Sequence, residues 1–166
     1  MENNIHKATR GKLNDNLLNY FAGFFDGEGT IVISKYKNYR SKTLNYLYVL
    51  CVRVTGKDKE IIKMFYDYFT PDNKLSTFNY RADFKAYQWG LTGPKAMEWL
   101  KMIKPYLRLK KDRAQLAIDF QEYKSKECSK LGGHITDEHR RKQDEYCLKA
   151  KEFNKKNILI AAATTK

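Results

Sequence analysis

The chemistry this sequence offers is concentrated in one tetrapeptide, Asp26-Gly27-Glu28-Gly29. It follows Leu17-Leu18-Asn19-Tyr20-Phe21-Ala22-Gly23-Phe24-Phe25, which is apolar almost all round and reads as a buried helix opened by the N-cap types Asn14-Asp15-Asn16. Carboxylates at the C-terminal end of a helix meet the negative end of its macrodipole, at a cost of about 0.3 to 1 kcal/mol each. A divalent cation compensates such a placement, because Mg²⁺ prefers carboxylate and carbonyl oxygens and a helix end offers unpaired C=O groups beside the acid. A water-exposed glycine-rich turn accounts for the same four residues equally simply.

The helix that would position these acids carries its own signal. Asn19, Gly23 and Gly27 recur every four residues with Ala22 beside them, so one stripe of an otherwise bulky helix has little side chain and allows close contact with another helix. If the partner is the same helix from a second copy, two-fold symmetry brings both Glu28 residues together, an arrangement suited to cutting two antiparallel strands. A helix within the same chain would use the stripe as well.

Beyond the acids, Thr30-Ile31-Val32-Ile33-Ser34 and residues 44–55 read as strands joined by a basic turn over 35–43. In the second strand Tyr48, Leu50, Val52 and Val54 share one face, and Leu47, Val49, Cys51, Arg53 and Thr55 the other. Asp58 caps a helix in which Ile61, Ile62, Phe65 and Phe69 recur at helical spacing, ended by Pro71-Asp72-Asn73. Two more strands fit residues 74–78 and 84–91. A helix begins near Pro94, carries Met97, Leu100 and Ile103, and closes at Pro105. Further helices fit residues 111–123 and, after Gly132-Gly133, a charged stretch capped by Thr136 and reaching about residue 153. The fold class is therefore α+β, an αββαββα unit present once, with additional C-terminal helices. Residues 1–13 read as a flexible arm, 14–157 as a single domain and 158–166 as a tail.

A chain of 166 residues with 42% hydrophobic and 14% aromatic residues can bury a core, and a net charge of +13 calls for a polyanionic partner, nucleic acid first. No apolar run approaches the roughly 20 residues of a membrane span, and the N-terminus lacks the apolar stretch of a secretory signal. The three cysteines are expected as reduced intracellular thiols. Cys128, His134, His139 and Cys147 match no tight zinc spacing and read as helix-surface residues.

Residues 18–31, containing Phe21-Ala22-Gly23-Phe24-Phe25-Asp26-Gly27-Glu28-Gly29, resemble the motif and flanks of the LAGLIDADG homing endonucleases. Pro105-Tyr106-Leu107-Arg108-Leu109-Lys110-Lys111-Asp112-Arg113-Ala114-Gln115 is similar to a segment of the single-motif members, and Val54-Thr55-Gly56-Lys57-Asp58-Lys59-Glu60 to a third stretch, so the likeness spans about residues 15–120. It implies a saddle of antiparallel strands in the DNA major groove, a homodimer joined through the motif helices along the Asn19, Gly23 and Gly27 face, and Mg²⁺ at their ends. Glu28 and the Gly27 carbonyl would be metal ligands, and Lys110 would lie near the scissile phosphate, polarising water or stabilising developing charge. The water-orienting Gln of relatives is replaced by Gly56, or by Thr55 in a shifted alignment.

The resemblance makes double-stranded DNA the substrate, read by strand residues facing the groove. By alternation these are Ser34, Tyr36, Asn38, Arg40 and Arg53, with Arg81, Lys85, Tyr87 and Gln88 on the later strands. Arg53 is the foremost guanine reader, while Lys37, Lys42, Lys57, Arg108, Lys111 and Arg113 suit phosphate contacts. The leading expectation is a homodimeric, Mg²⁺-dependent endonuclease cutting both strands of a pseudo-palindromic site. An RNA-binding intron maturase, or a DNA-binding protein without cleavage, stands beside it. The wealth of Lys, Asn, Tyr and Ile suits an A+T-rich genome, and the expected location is an organelle, mitochondrion or chloroplast, or a prokaryotic cytoplasm.

Overall fold

Helix α1 (Asp15–Glu28) starts where the Asn14 side chain accepts the Leu17 amide at 2.9 Å, satisfying one of the free donors of the first turn. It runs on through Asp26 and Glu28, so both acids lie in its last turn rather than in a turn after it. At Gly29 the chain leaves the helix and enters strand β1 (Gly29–Lys37) without a loop. A Cβ at position 29 would stand 2.1 Å from the Phe25 ring and 2.5 Å from its carbonyl, which reserves the site for glycine. The computed structural model describes residues 14–37, 46–70, 76–83, 85–130 and 136–164. The expected 1–13 arm, Asn38, Arg40, the Pro71-Asp72-Asn73 turn and the Gly132-Gly133 break lie outside these residues.

Strands β1, β2 (Tyr46–Gly56), β3 (Ser76–Arg81) and β4 (Ala86–Thr92) form one antiparallel sheet in the order β1-β2-β4-β3. The register pairs Gly29 with Val54 and Lys37 with Tyr46 across β1 and β2, and Arg53 with Gly90 across β2 and β4. Alternation then sends Ile31, Ile33, Tyr48, Leu50, Val52, Val54, Trp89 and Leu91 to one face, all of them buried. On that face pack α1, α2 (Lys59–Phe69) and α3 (Gly93–Ile103). Asp58 caps α2 by accepting the Glu60 and Ile61 amides at 2.9 and 3.2 Å, and Pro94 stands in the first turn of α3.

Aromatic rings fill the space between helices and sheet. Phe21 meets Phe65 edge-on at 4.6 Å, Phe25 meets Trp99 at 4.8 Å, and Trp89 lies 5.3 Å from both Phe65 and Trp99. The Trp89 indole N–H donates to the Thr70 hydroxyl at 2.9 Å, so its one polar atom is satisfied in the core.

After a 3₁₀ turn (Lys104–Tyr106) come α4 (Lys111–Lys130) and α5 (Asp137–Thr164), completing the α+β fold of αββαββα plus C-terminal helices. Thr136 caps α5 through the His139 amide. Both helices outrun their sequence-based ends at about 123 and 153, because Lys, Glu, Leu and Ala, all good helix formers, carry them further. Strand β1 likewise extends through Lys35, expected in a turn. That side chain lies over the Tyr46 ring at 4.4 Å and pairs with Asp144 of α5 at 2.6 Å, so a cation fits the core-facing side of the strand. The hydrogen bond that Lys35 donates to Asp144, aided by Tyr48, raises the pKa of its ammonium above the usual lysine range. Cys147 Sγ donates to the Ile33 carbonyl at 3.2 Å and Lys124 Nζ to the Tyr48 carbonyl at 2.5 Å, so the α4–α5 pair is fastened to β1 and β2 by polar contacts.

Phe65 touches Phe21, Phe24, Phe69 and Trp89 and is fully buried, so its truncation leaves a cavity among rigid rings. Phe65→Ala should cost about 3 to 5 kcal/mol in urea unfolding, and a loss under about 1 kcal/mol would place the centre of the core elsewhere.

Candidate functional site

The two acids of the last α1 turn have different surroundings. Asp26 is half-buried and accepts three backbone amides from the segment leading into α4: Arg108 N at 2.7 Å and Leu109 N at 3.1 Å on Oδ2, and Lys110 N at 3.0 Å on Oδ1. The Ala114 amide donates to the Lys110 carbonyl at 2.9 Å, which marks Lys110 as the residue opening α4. A carboxylate at the negative end of one helix is thus held at the positive end of another. The sequence reading assigned a cation to offset both acids; for Asp26 the chain itself supplies the offset.

Glu28 is exposed, as is Gly27, whose carbonyl belongs to a turn with no intrahelical partners for its C=O groups. No cluster of three or more His, Cys, Asp or Glu stands together among the described residues. A single carboxylate with one carbonyl fits Mg²⁺ bound jointly with water and substrate phosphate, the usual manner of that ion, and does not fit an all-protein cage.

Lys110 is the third member. It is only 7% exposed, and its ammonium donates to the main-chain carbonyl of Asp26, so it lies against the end of α1. Burial lowers its pKa below the ordinary lysine value, with Asp26 and Glu28 pulling upward and Arg113 pressing it down. Arg113 was expected on the phosphate backbone, but it is buried. Its Nη2 donates to the Phe153 carbonyl of α5 at 2.8 Å, while its Nε is buried with no hydrogen-bond partner. It is thus an internal tie between α4 and α5, one turn from Lys110, and only burial could have distinguished it from the lysines around it.

The small-residue stripe of α1 faces no other part of the chain among the described residues. Asn19, Gly23 and Gly27 are exposed, and a Cβ at Gly23 or Gly27 would meet nothing within 4 Å. Tyr20 beside them is 45% exposed. Leu109, next to the bound Asp26, is 77% exposed at the same end of the helix.

On the sheet surface away from the helices, alternation brings together Ser34 and Tyr36 of β1, Arg53 and Thr55 of β2, Gln88 of β4 and Arg81 of β3. Thr77 and Asn79 join them on β3; Asn79 was missed because that strand was set at 74–78, and Thr77, inside those bounds, because its outward face is set by the pairing with Gly90. Arg53 is exposed and crosses the bare Cα of Gly90, where a Cβ would lie 3.3 Å from its Cγ and 3.0 Å from the Val52 carbonyl. Arg81 grips Asp83 through Nε and Nη2 at 3.1 and 2.7 Å and donates from Nη1 to Gln88 Oε1 at 3.3 Å. Two expected readers lie elsewhere. Lys85 sits in the turn between β3 and β4 with φ of 48°, and Tyr87 faces the helices, stacked on Phe78 at 6.1 Å. Gly56 also turns inward, where a Cβ would stand 3.2 Å from Ile62, whereas Thr55 faces outward opposite Gln88.

The LAGLIDADG endonuclease family matches residues 21–126, more than half of the chain, and the chain belongs to that family of DNA-cleaving hydrolases, which use divalent cations. No curated protein matches it. Among solved structures, the homing endonuclease I-CvuI in complex with its target in the presence of Ca superposes with a TM-score of 0.65 at 18% identity, over 82% of this chain and 80% of that one. An archaeal intron-encoded homing endonuclease, I-Vdi141I complexed with DNA, gives 0.67 at 12% identity over 84% of each chain. The homing endonuclease I-LtrWI bound to target DNA gives 0.59 at 20%, over 82% of this chain but 44% of that one. These likenesses fix the fold.

Replacing Asp26 by Asn removes the charge and leaves one acceptor oxygen for three amides. Asp26→Asn should lower stability by about 1.5 to 3 kcal/mol in urea unfolding, the range for hydrogen bonds to a charged group. An unchanged midpoint would mean that the clamp contributes nothing.

Proposed function

We propose that this chain is a site-specific DNA endonuclease that works as a homodimer and hydrolyses both strands of a long pseudo-palindromic duplex, with Mg²⁺ held by Glu28 and the Gly27 carbonyl of each subunit. The observation that carries this reading is the division of labour at the end of α1. Asp26 is occupied by the amides of Arg108, Leu109 and Lys110, and Glu28 is left exposed at the tip of a helix whose glycine stripe has open space beside it.

A second α1 packed on that stripe would set two Glu28 carboxylates about a two-fold axis, one for each strand.

In hydrolysis a water oxygen adds to phosphorus, a phosphorus–oxygen bond breaks, and the leaving oxygen takes up a proton. The cation would lower the pKa of its water and neutralise phosphate charge. The chain's own contribution is positional. Glu28 holds a fixed negative point beside the phosphate, and Lys110, already desolvated and anchored on Asp26, presents a cation whose place needs no reorganisation as charge develops. The outward face of the sheet, with Arg53, Gln88, Asn79 and Arg81, supplies base-edge donors and acceptors. With no side chain at Gly56, the neighbouring Thr55, which faces outward, is a polar group that could order water there.

Glu28→Gln keeps the shape and removes the charge, so it should bind a cognate duplex about as well as the parent while cutting it at least 100-fold more slowly in Mg²⁺. Near-normal cutting would move the active centre elsewhere; preference for a structured RNA over any duplex would favour the maturase reading. The dimer has a separate test. Gly23→Leu gains helix propensity and meets open space within one chain, so the monomer should be as stable as the parent or more so. The same side chain would hold two α1 helices apart, and light scattering should find a monomer where the parent is a dimer. A Gly23→Leu dimer of unchanged affinity would remove α1 from the interface.

A further inference from the structure

The outward face of the sheet is chemically split. Near the start of β1 and across β2, β4 and β3 it carries Thr30, Arg53, Thr55, Gln88, Thr77, Asn79 and Arg81. Along the far part of the β1–β2 ribbon it carries Val32, Tyr36, Leu47 and Val49, with Ser34 the polar residue among them. Tyr36 and Leu47 face each other in the register and are 47% and 42% exposed, and Val32 and Val49 are half-buried behind them. An apolar strip on an edge ribbon, in a chain of net charge +13, is a surface that wants a partner.

The strip is continuous with the polar ladder that the proposed function assigns to base edges, so the same duplex would pass over both. In the major groove one feature answers an apolar side chain, the C5-methyl group of thymine. We infer that the far ribbon of β1 and β2 reads thymine methyl groups, so that each half-site is rich in A·T pairs in its outer part. This rests on the DNA-cleaving reading above and adds the chemical class of the sequence recognised. Tyr36 lies seven residues along β1 from Gly29, about 23 Å at 3.3 Å per residue. At 3.4 Å per base pair that places the apolar contacts up to about seven base pairs outward from the pairs beneath Gly29.

The experiment begins with selection of preferred duplexes from a library randomised across the half-site, followed by replacement of single thymines with deoxyuridine. Uracil keeps the pairing and the O4 acceptor and lacks only the methyl group. Thymine should be enriched in the outer positions, and each methyl removed there should weaken binding by the parent chain about fourfold, as for one buried carbon. Leu47→Ser, a change at a partly exposed position, should bind thymine and uracil duplexes equally at the base pair it covers. The inference is overturned if the outer positions select no thymine, if the parent binds uracil duplexes as tightly as thymine ones, or if Leu47→Ser keeps full sensitivity to the methyl. Cutting of the selected site would persist in each of those cases. Failure to select any duplex would instead defeat the DNA-cleaving reading, and this one with it.

Discussion

The carboxylate of Asp26 and the three amides of Arg108, Leu109 and Lys110 form the contact on which the site depends. Two helix ends of opposite polarity are brought together by one side chain, and the Lys110 ammonium returns the contact by donating to the Asp26 carbonyl. Tyr106 adds a tie at the other end of α1, its hydroxyl donating to Asp15 at 2.7 Å. The segment between α3 and α4 is thereby fixed along the motif helix, and with it the distance from Glu28 to Lys110. The proposed action of Glu28 and Lys110 on one phosphate needs its geometry set before the substrate arrives, and rigid backbone contacts set it at less entropic cost than mobile side chains could.

That contact also explains why one helix end can carry two acids. One is consumed by structure and the other is left to solvent. Position 29 then has to be glycine because the chain turns into β1 against the face of Phe25, which brings the sheet within one residue of the acids. The end of α1 and the sheet share a continuous stretch of backbone, so a shift in either moves the other. The far side of the site is braced differently: Arg113 reaches from α4 to the Phe153 carbonyl, and the polar contacts of Lys35, Lys124 and Cys147 hold the C-terminal helices to β1 and β2.

Most of this architecture was legible in the residues. The order of elements followed from apolar period, from caps such as Asn14 and Asp58, and from Pro94 at a helix start. The glycine stripe of α1, expected to meet the same helix of a second copy, lies exposed with open space beside Gly23 and Gly27. What sequence left open was governed by tertiary contact. Lys35 stays in a strand because Asp144, more than 100 residues away, answers its charge. Lys85 was misplaced because β4 begins two residues later than expected, and Tyr87 because its face, opposite to that of its neighbour Gln88, is fixed by the pairing with Gly56 and Tyr80. Asp26 and Glu28 look alike in a string of letters, and only the approach of residues 108–110 separates the structural acid from the exposed one.

Native-state hydrogen exchange at the amides of Arg108, Leu109 and Lys110 reports on that separation directly. All three precede α4 and, without Asp26 as acceptor, would belong to an open connecting segment. If the Asp26 carboxylate holds them, they exchange only through global unfolding, as slowly as the core strands β2 and β4. Exchange at the rate of an unprotected loop would contradict the clamp and the positioning of Lys110 that follows from it.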